Sequence, residues 1–435
     1  WHTILISHFA FCCSMKHFKY TLIAIFALSV VGTPWAITAF PQGTRMMDSI
    51  FSYVGNNFTA VFLRTPVITI SELQKKYDTA PRSKTKIRVL IMPGHEPDYG
   101  GAEYGDLKER DMTVDLARYL EGFIKNNNHY EVVLARDKDN WNPTLANYFN
   151  TYWNDIISFF KERKSETLHL VNSGTVKKIE NGLIHNSARQ DVALRLYGIN
   201  KWSNENKIDI AIHIHFNDYP RKNSSEAGKY SGLAIYVPEK QYANSTTTGA
   251  IADSIFKRLA KYNAVSDFPR EEDGIVEEQD LIAIGSYNTL DVPSMLIEYG
   301  YIYEPQFADP IVRDSTLKDM AFQTYLGFQD FFGSGNDVSL AYDTLMLPYN
   351  WTGDITASNS NKSDVLALQS ALLVEGSYPP QSKTKNDCPR SGKFGPCTIS
   401  ALAAFQKKYG IDGNGERVGS ETRKVLNERY SVQLK

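Results

Sequence analysis

Residues 86–95 read KIRVLIMPGH, an apolar run that ends in Gly94 and His95. A run of this kind predicts a strand that is buried on both faces of a sheet, with His95 at its carboxyl end. In open α/β sheets, functional side chains collect at the carboxyl ends of the strands. This stretch therefore predicts an α/β fold and makes His95 the first candidate for a functional residue.

The segments that follow alternate between helix and strand patterns. Apolar residues at helical spacing predict helices in LKERDMTVDLARYLEGFI, ARQDVALRLYGINKW and TTTGAIADSIFKRLAKY. Short apolar runs predict strands in YEVVLARD, KIDIAIHIHFND, SGLAIYVPE and DVPSMLIEYGY. The alternation favours a sheet flanked by helices.

Three further side chains on these elements complete a candidate hydrolase site with His95. Glu109 opens the first predicted helix, His215 lies near the end of AIHIHFND, and Glu298 interrupts the apolar strand SMLIEYGY. Two imidazoles and a carboxylate can bind zinc and leave one position for water, while a second carboxylate can take the proton of that water. For Glu298, an ion pair with Arg is the structural alternative, because a carboxylate in an apolar strand needs a partner.

His213 and Asn217 flank His215 on the same predicted strand. Period-two geometry places His213 on the same face as His215. A strand histidine is more often a core residue with a satisfied hydrogen bond, so we expect His213 to support the site and not to bind the metal. Asn217, next to the turn at 218–220, is a candidate for the same supporting role or for substrate contact.

Taken together, residues 86–333 resemble the zinc-dependent N-acetylmuramoyl-L-alanine amidases of the Amidase_3 type. Those enzymes have a first strand that ends in Gly-His, a Glu that opens the first helix, a Ser-x-His-x-Asn strand and a late Leu-x-Glu-x-Gly-Phe strand. The corresponding stretches are GH at 94–95, ERD at 109–111, HIHFN at 213–217 and LIEYGY at 296–301. Two departures are His213 in place of the Ser, and YE at 303–304 in place of an Asn that follows the last strand.

The resemblance implies a fold, a cofactor and a reaction. The fold is α/β, with a mixed twisted sheet flanked by helices. The cofactor is Zn²⁺, with His95, Glu109 and His215 as ligands and Glu298 as the catalytic acid/base. The reaction is hydrolysis, by a zinc-activated water, of the amide between N-acetylmuramic acid and the L-alanine of the stem peptide.

Residues 363–431 form a second predicted unit of three short helices. Leu-Gln lies in the first helix and Phe-Gln in the second, and two helix starts of the form Gly-x-x-Thr contain Thr398 and Thr422. This unit resembles the three-helix peptidoglycan-binding domain (PG_binding_1 type), which implies peptidoglycan as the partner. The Ser- and Asn-rich stretch 334–362 predicts a linker between the two units.

The N-terminal part has the layout of an export segment. Residues 1–14 precede the first Met and are interpreted as upstream translation or a gene-model artefact. Residues 15–40 combine a cationic start, an apolar run and a small-residue exit, which predicts a signal peptide. The alternative is that residues 21–40 stay as a membrane anchor. Residues 41–85 are predicted to be a stalk, and either alternative places the remainder in the cell envelope or outside the cell.

Cysteine content and charge agree with export. Cys388 and Cys397 flank a Gly- and Pro-rich loop, which predicts a local disulfide in an oxidising compartment. Half of a metal site is the other possibility, but no second CxxC or nearby His supports it. The net charge is −2, with 47 basic and 49 acidic residues, so nucleic acid is excluded as a partner.

Two alternatives to the amidase reaction stay open from the sequence. One is a zinc peptidase that cuts within the stem peptide, and the other is a catalytically silent wall-binding or regulatory protein. Residues 137–205 are longer than the resemblance requires. They predict an amphipathic helix in NWNPTLANYFNTYWNDIISFFKERK, then a hairpin in ETLHLVNSGTVKKIENGLIHNSARQ. A helix around residues 153–160 could block the site and make the enzyme autoinhibited.

Overall fold

The centre of the structure is a six-stranded sheet. The computed structural model describes residues 68–179, 188–334 and 342–432. The strands before residue 334 are β1 (Ile87–Pro93), β2 (Glu103–Tyr104), β3 (Leu107–Lys108), β4 (Tyr130–Leu134), β5 (Ile210–Asn217), β6 (Ala234–Pro238), β7 (Ile275–Glu278) and β8 (Ser294–Tyr301). The large sheet has the order β4-β1-β5-β8-β6-β7, and β2 and β3 form a separate small hairpin.

The sheet is mixed, as predicted. Strands β4, β1, β5 and β8 are mutually parallel, while β6 runs antiparallel to β8 and parallel to β7. The first four strands therefore carry their carboxyl ends to one edge. His215 on β5 lies directly beside Glu298 on β8 in the register of the sheet.

Helices cover both faces of this sheet. They are α1 (Ile70–Thr79), α2 (Glu109–Lys125), α3 (Pro143–Asn172), α4 (Gln190–Glu205), α5 (Ser245–Tyr262), α6 (Pro305–Ala308) and α7 (Pro310–Phe331). Val89 and Ile91 of β1 join the core shared with α2, α5 and α7, whereas Leu90 and Met92 join the core shared with α3 and α4. Because successive strand residues point to opposite faces, both faces of β1 are buried, which explains its uninterrupted apolar sequence.

The 137–205 region is more helical than its sequence predicts. Helix α3 continues through residues 166–172, so the predicted hairpin is wrong over that part. The helix is bent at Tyr152, whose backbone angles are not helical (φ −113°, ψ 24°). Beyond this bend the helix extends to Asn172 because Ile156, Thr167 and Leu170 are buried along its length.

Part of the predicted stalk is a packed helix. Helix α1 begins with a capping box between Thr69 and Glu72. Its Leu73 and Tyr77 are buried in the core of the sheet domain. Lys76 forms an ion pair of 2.5 Å with Asp209, just before β5. Residues 68–79 are therefore held against the domain that they precede.

The C-terminal unit contains three helices and a small two-stranded sheet. Its elements are β9 (Ile355–Thr356), α8 (Lys362–Val374), α9 (Pro396–Lys408), β10 (Arg417–Val418) and α10 (Ser420–Tyr430). Leu347, Trp351 and Ile355, from the stretch predicted as a linker, are buried in the same core as these helices. Cys388 and Cys397 form the predicted disulfide.

Among the described residues, no helix is both long enough and apolar enough to cross a membrane. Residues 1–14, the predicted signal or anchor at 15–40, and the stalk up to residue 67 lie outside the described part of the chain.

A buried ion pair connects α7 to the C-terminal unit. Arg390 lies 3.3 Å from Asp319, and their side chains are 7% and 1% exposed. Asp319 also accepts hydrogen bonds from the Thr344 hydroxyl (3.0 Å) and the Leu345 amide (2.9 Å). The position of the C-terminal unit on α7 therefore depends on a fully partnered buried carboxylate.

We expect Asp319→Ala to lower the free energy of unfolding by about 3–5 kcal/mol, because it leaves the Arg390 charge buried without its partner. Urea unfolding measures this change. Asp253→Ala is the matched control, since Asp253 pairs with Lys257 on the surface (50% and 72% exposed) and such pairs contribute little. Equal effects of the two substitutions would contradict the role assigned to the buried pair.

Candidate metal centre

Three of the predicted site residues meet at the carboxyl edge of the sheet. His95 follows β1, Glu109 opens α2, and His215 lies on β5. Their ligand atoms all lie within 4.8 Å of one another. Glu109 Oε1 lies 2.8 Å from His95 Nε2 and 3.1 Å from His215 Nδ1. The structure thus brings together, from three separate elements, a group that could hold a metal ion.

Glycine permits this close approach. A Cβ at Gly94 would lie 2.4 Å from the His215 ring, and a Cβ at Gly101 would lie 2.9 Å from the His95 ring. Gly101 also has a left-handed backbone conformation (φ +83°), which glycine adopts without strain. His95 itself has a positive φ of 70°. Such a conformation costs energy for a non-glycine residue, and it turns this side chain toward Glu109.

Glu109 is held as an ionised carboxylate. Its Oε1 accepts a hydrogen bond from the Phe216 amide (3.0 Å), and its Oε2 accepts one from the Ala102 amide (2.8 Å). Burial acts to raise the pKa of Glu109, but the charge of His95, together with the hydrogen bond and charge of His215, outweighs burial and lowers the pKa below its usual value. The carboxylate is therefore fixed in position and available as an acceptor.

His95 shows how the cluster fits a metal ion. Its Nε2 is buried and makes no hydrogen bond, although Glu109 Oε1 is only 2.8 Å away. An unpartnered buried nitrogen is costly, so its lone pair needs a hydrogen-bond donor or a cation. A cation held by His95, Glu109 and His215 would bind this lone pair, and two imidazoles with one carboxylate are a ligand set that suits zinc.

Glu298 lies beside this cluster without a partner of its own. Its side chain is 7% exposed and its Oε2 is buried with no hydrogen bond. Burial, together with the nearby charges of Glu109 and Glu271, raises the pKa of Glu298 well above its usual value. Within the described residues Glu298 makes no ion pair, so the Arg partner considered from the sequence is not found.

His213 and Asn217 both lie at the same cavity. His213 is 2% exposed, and burial, reinforced by the charge of His215, lowers its pKa to about 3. It is therefore neutral near pH 7. The Asn217 side-chain amide donates to Glu271 (2.8 Å) and so ties the end of β5 to the loop before β7.

Glu271 is a part of the site that the sequence analysis missed. Besides Asn217, it accepts hydrogen bonds from Tyr236 (2.5 Å), Ser266 (2.5 Å) and Tyr301 (3.1 Å). Four donors on one buried carboxylate hold its charge in place near Glu298. No local pattern in FPREEDGI distinguishes this Glu from its neighbour Glu272.

Arg136, just after β4, is a second residue that the sequence analysis missed. It is 1% exposed and donates to the carbonyls of Pro93 (3.2 Å), Gly94 and Arg110 (2.9 Å). Burial lowers the pKa of Arg136 to about 10, so it remains charged at neutral pH. One guanidinium thus connects the backbone that carries His95 to the first turn of α2, where Glu109 lies.

The candidate metal cluster, formed by His95, Glu109 and His215, lies at a cavity of about 260 Å³, the metal cavity. Glu298 forms part of its wall, and Val192, Arg195 and Leu196 of α4 form another part. The described residues that line the cavity include none from 153–160, the segment predicted to block the site. Instead, Phe160 stacks on Tyr197 of α4 at a centroid distance of 4.4 Å, and neither residue lines this cavity.

Two family models match the chain. Residues 170–330 match the model described as N-acetylmuramoyl-L-alanine amidase, and residues 361–426 match a model described as a peptidoglycan-binding domain. The first match includes His215 and Glu298. His95 and Glu109 lie before it, separated from it by most of α3. No curated protein matches the chain.

Solved structures similar to this chain are amidases of low sequence identity. The CwlD amidase of Clostridioides difficile, solved with the GerS lipoprotein, is 16% identical over 57% of this chain and 99% of that one, with a TM-score of 0.38. Ami1 of Mycobacterium smegmatis is 14% identical over 57% and 97%, with a TM-score of 0.37. The catalytic domain of CwlV from Bacillus (Paenibacillus) polymyxa is 16% identical over 57% and 98%, with a TM-score of 0.35. Because these TM-scores are below 0.5, the two family matches carry the assignment.

Proposed function

We propose that this chain is a zinc-dependent N-acetylmuramoyl-L-alanine amidase. It belongs to that family through residues 170–330 and carries a peptidoglycan-binding domain at residues 361–426. The enzyme hydrolyses the amide between N-acetylmuramic acid and the L-alanine of the stem peptide. The observation that carries the zinc proposal is the convergence of His95, Glu109 and His215 beside the unpartnered Glu298.

The three convergent residues would hold the zinc ion. When bound, zinc supplies a Lewis acid that polarises the amide carbonyl and makes a water molecule more acidic. Glu109 contributes a carboxylate that two backbone amides hold in position. His95 and His215 contribute nitrogen donors, and the left-handed backbone at His95 points its ring toward the other two.

Glu298 is the proposed acid/base. It would take a proton from the attacking water and return it to the nitrogen of the departing L-alanine. An acid/base works best when its pKa is near the operating pH, and burial raises the pKa of Glu298 in that direction. Its Oε2 has no protein partner, so it is free to bond water or substrate.

His213 and Asn217 are proposed to support these groups. His213 lines the same cavity and is neutral near pH 7, so it adds no positive charge that would repel a bound cation. Asn217, two residues beyond His215, holds the end of β5 in place by its hydrogen bond to Glu271. Groups of this kind orient ligands without binding the metal themselves.

Arg136→Lys is expected to weaken zinc binding by roughly 10- to 100-fold, the usual effect of removing a group that orients metal ligands. Lysine keeps the positive charge but cannot reach the carbonyls of Pro93, Gly94 and Arg110 together, as Arg136 does. Competition with a chelating indicator measures the zinc dissociation constant. Arg258→Lys is the control, because Arg258 pairs with Asp330 and Asp343 away from the site. A folded Arg136→Lys protein with unchanged zinc affinity would contradict the positioning role.

The peptidoglycan-binding domain gives the enzyme a second site that binds its substrate. Both domains act on peptidoglycan, which places the protein in the cell envelope or outside the cell. Residues 15–40 would direct export, either as a cleaved signal or, through residues 21–40, as a retained anchor. A cleaved segment would be missing from the N-terminus of the exported protein, and N-terminal sequencing distinguishes the two.

Mass spectrometry of purified peptidoglycan, incubated with the protein in the presence and absence of a chelator, tests the proposed reaction. Free stem peptides that begin with L-alanine, and that disappear with the chelator, are the expected products. Cuts within the stem would instead identify a peptidase. Retained wall binding with no release would identify a silent binding protein.

A further inference from the structure

We propose that α3 and the loop before it add a glycan-binding subsite to the amidase site, where the rings of Trp141 and Trp153 stack on sugar rings of the peptidoglycan strand. This inference rests on the proposed amidase function and names a part of the substrate that the metal centre does not contact.

An open groove of about 430 Å³ lies next to the metal cavity. It is lined by Trp141, Ala146, Phe149, Asn150, Trp153 and Arg195. Two of these residues, Trp141 and Arg195, also line the cavity that contains His95, Glu109, His215 and Glu298. The groove is therefore an extension of the metal cavity along the surface of α3.

The aromatic wall of the groove is rigid. Trp141 donates its indole N–H to Glu96 (3.0 Å), and the other oxygen of Glu96 accepts a bond from Arg195 (2.8 Å). The Trp141 ring meets Phe149 edge to face, with centroids 5.3 Å apart. Because these contacts fix the ring before any ligand arrives, little conformational entropy is lost on binding. Trp153 is only partly buried, one turn further along α3 from Phe149.

The chemistry of the substrate requires a sugar next to the metal cavity, and the groove is one such position. The scissile amide is joined to the muramyl ring through a short lactyl ether, so a sugar must lie against the wall of the cavity when the amide reaches the metal centre. One face of a pyranose ring presents C–H groups, which pack on the electron-rich face of an indole and leave water. Asn150 is exposed at the same groove and offers an amide donor to hydroxyl and acetamide groups.

The stem peptide fits this groove less well. Its carboxylates need unpaired cations, but Arg195 is already bonded to Glu96 and to Asp191 (2.9 Å). Flat, partly exposed indole rings suit the neutral faces of a glycan. The remaining interpretation, that Trp141 and Trp153 serve only to pack α3 against α4, makes a different prediction about substrate length.

The test compares two substrates with the full chain and its variants. One substrate is a glycan strand of many disaccharides with stem peptides attached, and the other is a muramoyl peptide with a single sugar. Trp153→Leu removes the ring but keeps an apolar side chain. We expect it to raise KM for the strand by roughly fivefold or more, the usual effect of truncating an aromatic anchor, with kcat nearly unchanged and the single-sugar substrate unaffected.

Two variants control for unrelated effects. Trp153→Phe keeps an aromatic face and should recover most of the affinity for the strand. Tyr152→Leu removes an exposed ring (44% exposed) from the neighbouring position, which lines neither the groove nor the metal cavity, and should behave as the wild type does. The peptidoglycan-binding domain is present in every protein, so its contribution to KM is constant.

Equal losses on both substrates would show that Trp153 is only structural and would overturn the inference. Unchanged KM for the strand would overturn it as well, because the groove would then be unused. If the wild type released no L-alanyl peptide from either substrate, the proposed function itself would fail and the glycan subsite with it. The failure of the glycan subsite and the failure of the proposed function therefore give different results.

Discussion

Replacing Glu298 by Gln is expected to lower kcat by roughly 10²- to 10⁴-fold, the range that general acid/base groups contribute. Glutamine has nearly the same shape, so the substitution removes proton transfer and little else. The loss should occur without loss of stability, because burial and the charges of Glu109 and Glu271 already disfavour the ionised form of Glu298. Rates of stem-peptide release, metal content and thermal unfolding are measured on the same preparation.

Glu239→Gln is the matched control for this substitution. Glu239 is 1% exposed and also has one oxygen without a partner, while its other oxygen accepts from Gln241. It is not part of the lining of the metal cavity. A Glu298→Gln protein that keeps its metal and retains activity within a fewfold of the Glu239→Gln control would exclude Glu298 as the acid/base.

Replacing His215 by Ala is expected to abolish both metal binding and hydrolysis. The substitution removes one of the three proposed metal ligands. It also removes the hydrogen bond of 3.1 Å between His215 Nδ1 and Glu109 Oε1. The wild type should gain thermal stability from added zinc, by about 2.7 kcal/mol at a zinc concentration 100 times the dissociation constant. His215→Ala should gain almost none under the same conditions.

His169→Ala is the control for the loss of an imidazole. His169 is exposed in the last turn of α3 and is outside the metal cluster. Metal analysis, unfolding with and without zinc, and stem-peptide release should all match the wild type for this variant. If His215→Ala kept full zinc content, a different set of ligands would have to hold the metal.

The sequence predicted the strands that form the site because of how they are buried. Strands β1, β5 and β8 lie next to one another inside the sheet, so their sequences are apolar on both faces. A His or Glu in such a strand stands out, and that contrast identified His215 and Glu298. Glu109 was predicted from the helix that it opens, although no sequence pattern reveals the backbone amides that hold it in position.

Other parts depend on contacts between distant residues. Arg136 has an ordinary position after a strand, and its role comes from carbonyls 26 to 43 residues away in the chain. Helix α7 was not predicted, because its buried residues lie on most of its circumference and give no single apolar face. The groove beside the metal cavity could not be predicted either, since it forms where Trp141, α3 and α4 meet.

Hydrolysis in water enriched in ¹⁸O, followed by mass spectrometry of both products, tests the proposed reaction most directly. Attack of water on the lactyl carbonyl predicts ¹⁸O in the carboxylate of N-acetylmuramic acid and an unlabelled stem peptide with a free L-alanine amine. Label in a peptide carboxylate, with L-alanine still joined to the sugar, would contradict the amidase reaction and identify a peptidase.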